Sequence, residues 1–173
     1  MTSTRLLNAI LMATQAHAGQ VRRYENDPYI VHPLRVARTV AFRGHDEDTV
    51  IAAILHDTLE DTNLDPRAID EQFGGHVLSL VRQLTDPAKP EDGNRAARME
   101  INREHAAKAS PQAQTVRVAD LMDNARSIVA HDPSFAKVYL KEKALMLDGL
   151  SQADSDLLRA AHDMILEFTC LIP

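Results

Sequence analysis

Residues 51–62 read Ile51-Ala52-Ala53-Ile54-Leu55-His56-Asp57-Thr58-Leu59-Glu60-Asp61-Thr62, an apolar helical pattern interrupted by four groups that can do chemistry. Ile51, Ile54, Leu55 and Leu59 recur at helical spacing and predict one buried face. On a continuous helix His56 would stand above Glu60 and Asp57 above Asp61, as two neighbouring polar rows. Such rows are the wet flank of an amphipathic helix or a site. Clustering carboxylates in a partly buried place is costly, since two like charges ~5 Å apart repel by roughly 3 kcal/mol at an effective dielectric of ~20. A cation reverses that sign. His with Asp suits a borderline or hard divalent ion such as Mn, Zn or Fe, but two adjacent ligands cannot complete a coordination sphere.

The remaining ligands must lie elsewhere in the chain. His32 precedes Pro33, which suits a first helical turn, so its ring stands at a helix entrance and is the best third ligand. A plain capping role is the alternative. Asp120 sits among Val116, Val118, Leu121 and Met122, and shares a face with Asn124 and Ser127. A buried Asp needs a partner, so Asp120 is either paired with an Arg or bound to metal. His17, in the last turn of a first helix, reads as a capping or packing histidine.

These groups must be positioned by helices. Hydrophobic residues make up 45% and aromatics 4% of 173 residues, with no Trp, so the core is built from Leu, Ile, Val, Ala and Met. That length suits one domain. A first helix starts at Ser3 as N-cap and ends before Gly19, with Leu6, Leu7, Ile10 and Leu11 facing inward. A loop with two prolines, residues 20–33, leads into a helix that continues through Leu34, Ala37, Val40 and Ala41 to Gly44. Residues 46–61 form the central helix. Asp65-Pro66, Ser110-Pro111 and Asp132-Pro133 open later helices, residues 94–108 form a charged one, and the last spans residues 155–168. No alternating segment reads as a strand, so eight or nine helices make an all-α domain.

The net charge of −6 gives no global attraction for nucleic acid or an anionic membrane, so an anionic ligand needs a local basic patch. The single Cys170 excludes an intrachain disulfide, no apolar run approaches ~20 residues, and no signal peptide is visible, so a soluble cytoplasmic protein is expected. Oligomeric state has no signature here.

The order His32, then His56-Asp57, then Asp120 resembles the H…HD…D signature of the HD-domain metal phosphohydrolases. The surrounding motifs narrow it. His17-Ala18-Gly19-Gln20-Val21-Arg22-Arg23, Pro28-Tyr29-Ile30-Val31-His32-Pro33, Leu55-His56-Asp57-Thr58-Leu59-Glu60-Asp61-Thr62 and Val118-Ala119-Asp120 with Asn124 look like the hydrolase domain of the RelA/SpoT alarmone enzymes, over residues 6–166. With no synthetase region following, the chain is most similar to the free-standing small hydrolases, which implies a single HD phosphohydrolase domain over residues 1–173.

The resemblance implies that His32, His56, Asp57 and Asp120 bind one Mn²⁺, and that Glu60 and Asp61 serve the attacking water. It implies that Arg22 and Arg23 approach the nucleotide, Arg22 stacking on the base and Arg23 serving the phosphates. Asn124 is expected at the ribose, and Tyr139, ten residues before Gly149-Leu150, where the stand-alone enzymes carry a substrate-contacting tyrosine. The implied reaction is hydrolysis of the 3′-diphosphate of ppGpp or pppGpp to GDP or GTP and pyrophosphate. Two positions depart from the family pattern: Leu121 stands where a basic residue is usual, and Asp123 where an aromatic or His is usual. Two other readings compete. One is a phosphatase on the same scaffold acting on ppApp or NADPH; the other is a catalytically silent HD module that binds a nucleotide, against which the intact Glu60-Asp61 pair speaks.

Overall fold

Short oxygen-bearing side chains cap most of the helices, and their positions divide the chain. Ser3 Oγ accepts from the Arg5 amide at 3.1 Å, Asp46 Oδ1 from Thr49 at 2.8 Å and Asp65 Oδ1 from Arg67 at 2.9 Å. Asn94, Ser110, Asp132 and Asp154 do the same further on. Each satisfies amides that the first helical turn leaves without carbonyl partners. The computed structural model describes residues 3–172, and among these every regular element is helical. The nearest approach to a strand is an isolated bridge between Val21 and Pro28. The chain gathers into two compact units divided between Thr85 and Asp86.

The first unit holds α1 (Thr4–Ala16), α2 (Val31–Phe42), α3 (Glu47–Leu55), the single turn α4 (Thr58–Asp61), α5 (Pro66–Phe73) and α6 (Gly75–Leu84). Its core is α3, buried from Thr49 through Leu55, with α1, α2 and α6 packed around it and α5 against α6. The second unit holds α7 (Arg95–Ala107), α8 (Pro111–His131), α9 (Pro133–Gly149) and α10 (Ser155–Leu171), preceded by a 3-10 turn at Pro90–Asp92. There α8, α9 and α10 pack mutually and α7 lies on α9. Gln114, fully buried on α8, donates to the carbonyls of Ala107 and Ala109 and accepts from the Gln152 amide, so one side chain ties three segments. Nine helices of eight or more residues and one four-residue turn thus agree with an all-α fold, among the described residues.

Three local expectations are corrected. The central helix is not continuous: α3 ends at Leu55 and α4 begins at Thr58. The His56 ring bonds the Ala53 carbonyl at 2.9 Å and Thr58 Oγ1 donates to the Leu55 carbonyl at 2.6 Å, so side chains take carbonyls that a continuing helix would have bonded with backbone amides. On α1, Leu7 and Leu11 are exposed rather than inward, at 55% and 56%, whereas Ala9 and Ala13 are fully buried. Small residues on the buried face bring α1 close to α3. Finally, α2 begins at Val31, two residues before Pro33, and Ala41 is exposed.

This packing sets a stability test. Ile51→Ala, at a position with 0% exposure, should cost about 2–5 kcal/mol in urea denaturation, whereas Leu7→Ala should stay within about 0.5 kcal/mol.

Candidate functional site

The interruption between α3 and α4 is what aims the chemistry. The carbonyl of Ala53 can only accept, so His56 Nδ1 carries the proton and Nε2 presents its lone pair. That nitrogen faces Asp57 Oδ2 at 3.1 Å. From the first turn of α2, His32 Nε2 stands 3.6 Å from the same oxygen, and the two imidazoles meet edge to face with centroids 5.2 Å apart. Both histidines are buried, and Asp57 is half-buried.

A lone pair facing a carboxylate is unfavourable unless a positive charge lies between them. Ligands held about 2.0–2.2 Å from one ion at tetrahedral or octahedral angles are themselves about 3.0–3.5 Å apart. Asp57 Oδ2 has that spacing from His56 Nε2, at 3.1 Å, and nearly so from His32 Nε2, at 3.6 Å; with all three donor atoms within 4.8 Å of one another, small side-chain movements gather the trio on one divalent cation. Two imidazoles and a carboxylate suit a borderline or hard ion.

Around the trio, Tyr29 brings its hydroxyl 2.7 Å from Asp57 Oδ2 and 3.1 Å from Asp61 Oδ2. Burial pushes the Asp61 carboxyl above the usual carboxylate range, and the neighbouring Asp57 charge adds to the rise; the Tyr29 hydroxyl opposes it. Glu60 lies next to it on α4 and is exposed. Neither Tyr29 nor Gln20, whose amide reaches the Asp61 backbone carbonyl at 2.9 Å, was picked out by residue type and spacing. A tyrosine is a common loop residue, and its reach to Asp57 and Asp61 is visible only once the loop is folded.

The loop between α1 and α2 carries the two candidate arginines. Arg22 is largely buried, with Nε 3.8 Å from Glu25 Oε2, while Arg23 is exposed with its guanidinium 5.3 Å from the Tyr24 ring centroid. Arg35 on α2 pins this loop through Glu25 at 3.0 Å and Asp27 at 3.6 Å. Asn26 takes a positive φ of 57°, which Asn tolerates better than most residues.

The second unit places Asp120, Asn124 and Tyr139. Asn124 Nδ2 donates to Asp120 Oδ1 at 2.6 Å, one helical turn apart on α8. On α9, Tyr139 is buried, with Phe135 at 6.0 Å and the Lys143 ammonium 5.3 Å from its ring centroid. Desolvation lowers the Lys143 pKa, and the Asp120 charge opposes that. Leu121 is buried, which explains why an apolar residue serves there, and Asp123 is half-buried. The trio of the first unit and the Asp120–Asn124 pair of the second are therefore each preformed within their own unit.

Comparison with known proteins now bears on these residues. The HD domain family model matches residues 9–147. A Mycobacterium leprae protein described as a probable GTP pyrophosphokinase is 40% identical over 121 residues, covering 69% of this chain but 15% of that protein's length. A mouse (Mus musculus) protein described as guanosine-3′,5′-bis(diphosphate) 3′-pyrophosphohydrolase MESH1 is 31% identical over 173 residues, covering 95% of both chains. A solved structure described as a metazoan ortholog of SpoT that hydrolyzes ppGpp superimposes with a TM-score of 0.84 at 26% identity, covering 96% of each chain. The chain spans 15% and 16% of two of its bacterial relatives, and nearly all of the mouse one. With an all-α fold, the paired histidines and the adjoining aspartate in place, this chain belongs to the HD-domain family, in the RelA/SpoT-type branch that includes the MESH1 proteins.

Proposed function

We propose that this protein hydrolyses the 3′-diphosphate of guanosine alarmones, ppGpp and pppGpp, releasing pyrophosphate and GDP or GTP. The observation that carries this reading is the His32–His56–Asp57 trio, with Asp61 joined to it through one tyrosine hydroxyl, in a chain similar over 95% of its length to a pyrophosphohydrolase. The family match runs through residues 9–147 and so spans both units, which supports one HD phosphohydrolase domain over residues 1–173.

His32, His56 and Asp57, with Asp120 as the fourth ligand, would hold one divalent ion, Mn²⁺ in our reading. Such an ion supplies Lewis-acid polarisation of a phosphoryl oxygen and positive charge where the transition state gains negative charge. The chain's own carboxylates do the proton work. Water attacks the phosphorus bonded to the ribose 3′ oxygen; Asp61, with Glu60 beside it, accepts the water proton. The bond to the 3′ oxygen breaks, and that oxygen leaves to take up a proton. The Tyr29 hydroxyl, 2.7 Å from Asp57 and 3.1 Å from Asp61, keeps the Asp61 carboxylate beside the trio, within reach of a water there. Arg22 and Arg23 offset phosphate charge or stack on the base, Asn124 serves the ribose, and Tyr139 contacts the substrate.

Arg22 and Arg23 permit charge to be separated from stacking. If an arginine only neutralises phosphate, its replacement by Lys should be mild and the residual loss should depend on salt. If it stacks on the purine, the loss should appear as a raised KM that salt does not change. We expect the stacking signature for Arg22→Lys and the charge signature for Arg23→Lys, read from KM at two ionic strengths. Wild-type KM for both variants would remove the loop from the substrate.

Substrate identity is tested by a panel of ppGpp, pppGpp, ppApp and NADPH with Mn²⁺-loaded protein, the products being identified. Turnover of the guanosine alarmones at the highest kcat/KM supports the reading. Preference for ppApp or NADPH would reassign the substrate, and binding without turnover would make the protein a nucleotide sensor.

A further inference from the structure

Asp61 stands at the end of a four-residue helical turn and is exposed as a residue, so its own helix does little to fix its carboxylate. Its constraints come from the end of α1 and the loop that follows. The Asp61 backbone carbonyl can only accept, so the nitrogen of the Gln20 side-chain amide must face it, at 2.9 Å. That orientation turns Gln20 Oε1 toward His17 Nδ1, 2.7 Å away, and requires His17 to carry its proton on Nδ1. The His17 ring is buried, its Nε2 has no hydrogen-bond partner, and its face lies against Tyr29 with centroids 4.6 Å apart and planes 28° from parallel. Tyr29 in turn presents its hydroxyl to Asp61 Oδ2. The path closes on the residue where it began: backbone carbonyl, amide, imidazole, phenol, carboxylate.

We propose that His17, Gln20 and Tyr29 form a bracket that positions the Asp61 carboxylate for water activation. None of the three is a catalytic residue in this assignment; they act through Asp61, and the inference rests on the function proposed above. His17 is the plate of the bracket. Its unused nitrogen is what a packing surface for Tyr29 leaves over, since turning the ring to engage that nitrogen would break the bond to Gln20. Gln20 holds Asp61 by its backbone, and Tyr29 holds it by its side chain. The hydroxyl has one proton, which it donates to either Asp57 or Asp61 in turn, and this shared donor holds together two carboxylates whose like charges otherwise drive them apart.

The test is a pair of double-mutant cycles in the full-length protein. Tyr29→Phe keeps the ring on His17 and removes only the hydroxyl; Gln20→Leu removes the amide. Each should lower kcat by ~10-fold with KM within ~2-fold of wild type, a fraction of the ~10²–10⁴ that general-base catalysis supplies. In an Asp61→Asn background each should cost less than ~2-fold more, because the group through which they act is gone. Titration with Mn²⁺ alone should give wild-type affinity for Tyr29→Phe. Wild-type kcat in both variants, a loss that persists in the Asp61→Asn background, or weakened Mn²⁺ binding would overturn the proposal, the last two assigning Tyr29 to Asp57 instead. Hydrogen exchange over residues 57–62 reads the bracket without any substrate: Gln20→Leu should speed exchange there, and unchanged exchange overturns the bracket even if the substrate assignment stands. Faster exchange in a protein that fails to hydrolyse any guanosine alarmone would uphold the bracket and remove only the proposed reaction.

Discussion

Chelation with EDTA should abolish pyrophosphate release from ppGpp, and Mn²⁺ added back should restore it. The expected loss is ~10²-fold or more, because the ion contributes several kcal/mol of charge stabilisation that no cationic side chain in the trio can replace. His56→Ala should reproduce the loss without rescue by Mn²⁺, since it deletes the imidazole whose orientation the Ala53 carbonyl fixes. The fold should outlast the activity. The core of the first unit is apolar helix surface around α3, so the chelated protein stays folded, with Tm lowered by the lost binding free energy. Full turnover after exhaustive chelation would mean that the histidine–aspartate trio is structural.

Glu60→Gln and Asp61→Asn should retain Mn²⁺ binding and lose most of kcat. The amides keep the shape of the carboxylates but cannot accept a proton, and the expected loss for the principal base is ~10²–10⁴-fold with little change in KM. Asp61→Asn should be the more severe. Asp61 is the carboxyl that the Tyr29 hydroxyl joins to Asp57, and its backbone carbonyl is held by the Gln20 amide. Near-wild-type kcat in both variants would demote the pair to a solvated edge.

These expectations draw on features that were unequally legible in the sequence. Helix starts were legible because capping is local: Ser3, Asp46, Asp65, Ser110 and Asp132 each bond an amide two or three residues away, and a proline follows three of them. The trio was legible in part for the same reason, since His56 and Asp57 are adjacent and His32 opens a helix. The break between α3 and α4 was not, because Ile51 through Leu59 keeps a helical apolar pattern and the interruption arises from His56 and Thr58 bonding carbonyls of the preceding turn. The α1 face was misread because a hydrophobic stripe weights Leu above Ala, whereas close packing on α3 selects Ala9 and Ala13. Tyr29 and Gln20 stand within the family motifs, but their roles were not legible because these depend on contacts 28 to 41 residues away in sequence.

The most direct measurement of the central claim is the fate of isotope when Mn²⁺-loaded protein turns over ppGpp in ¹⁸O water. Attack of an Asp61-activated water on the 3′ phosphorus predicts GDP and intact pyrophosphate as the only products, with one ¹⁸O in the pyrophosphate and none in the nucleotide. Label in the ribose 3′ hydroxyl, or stepwise release of orthophosphate in place of pyrophosphate, would contradict it.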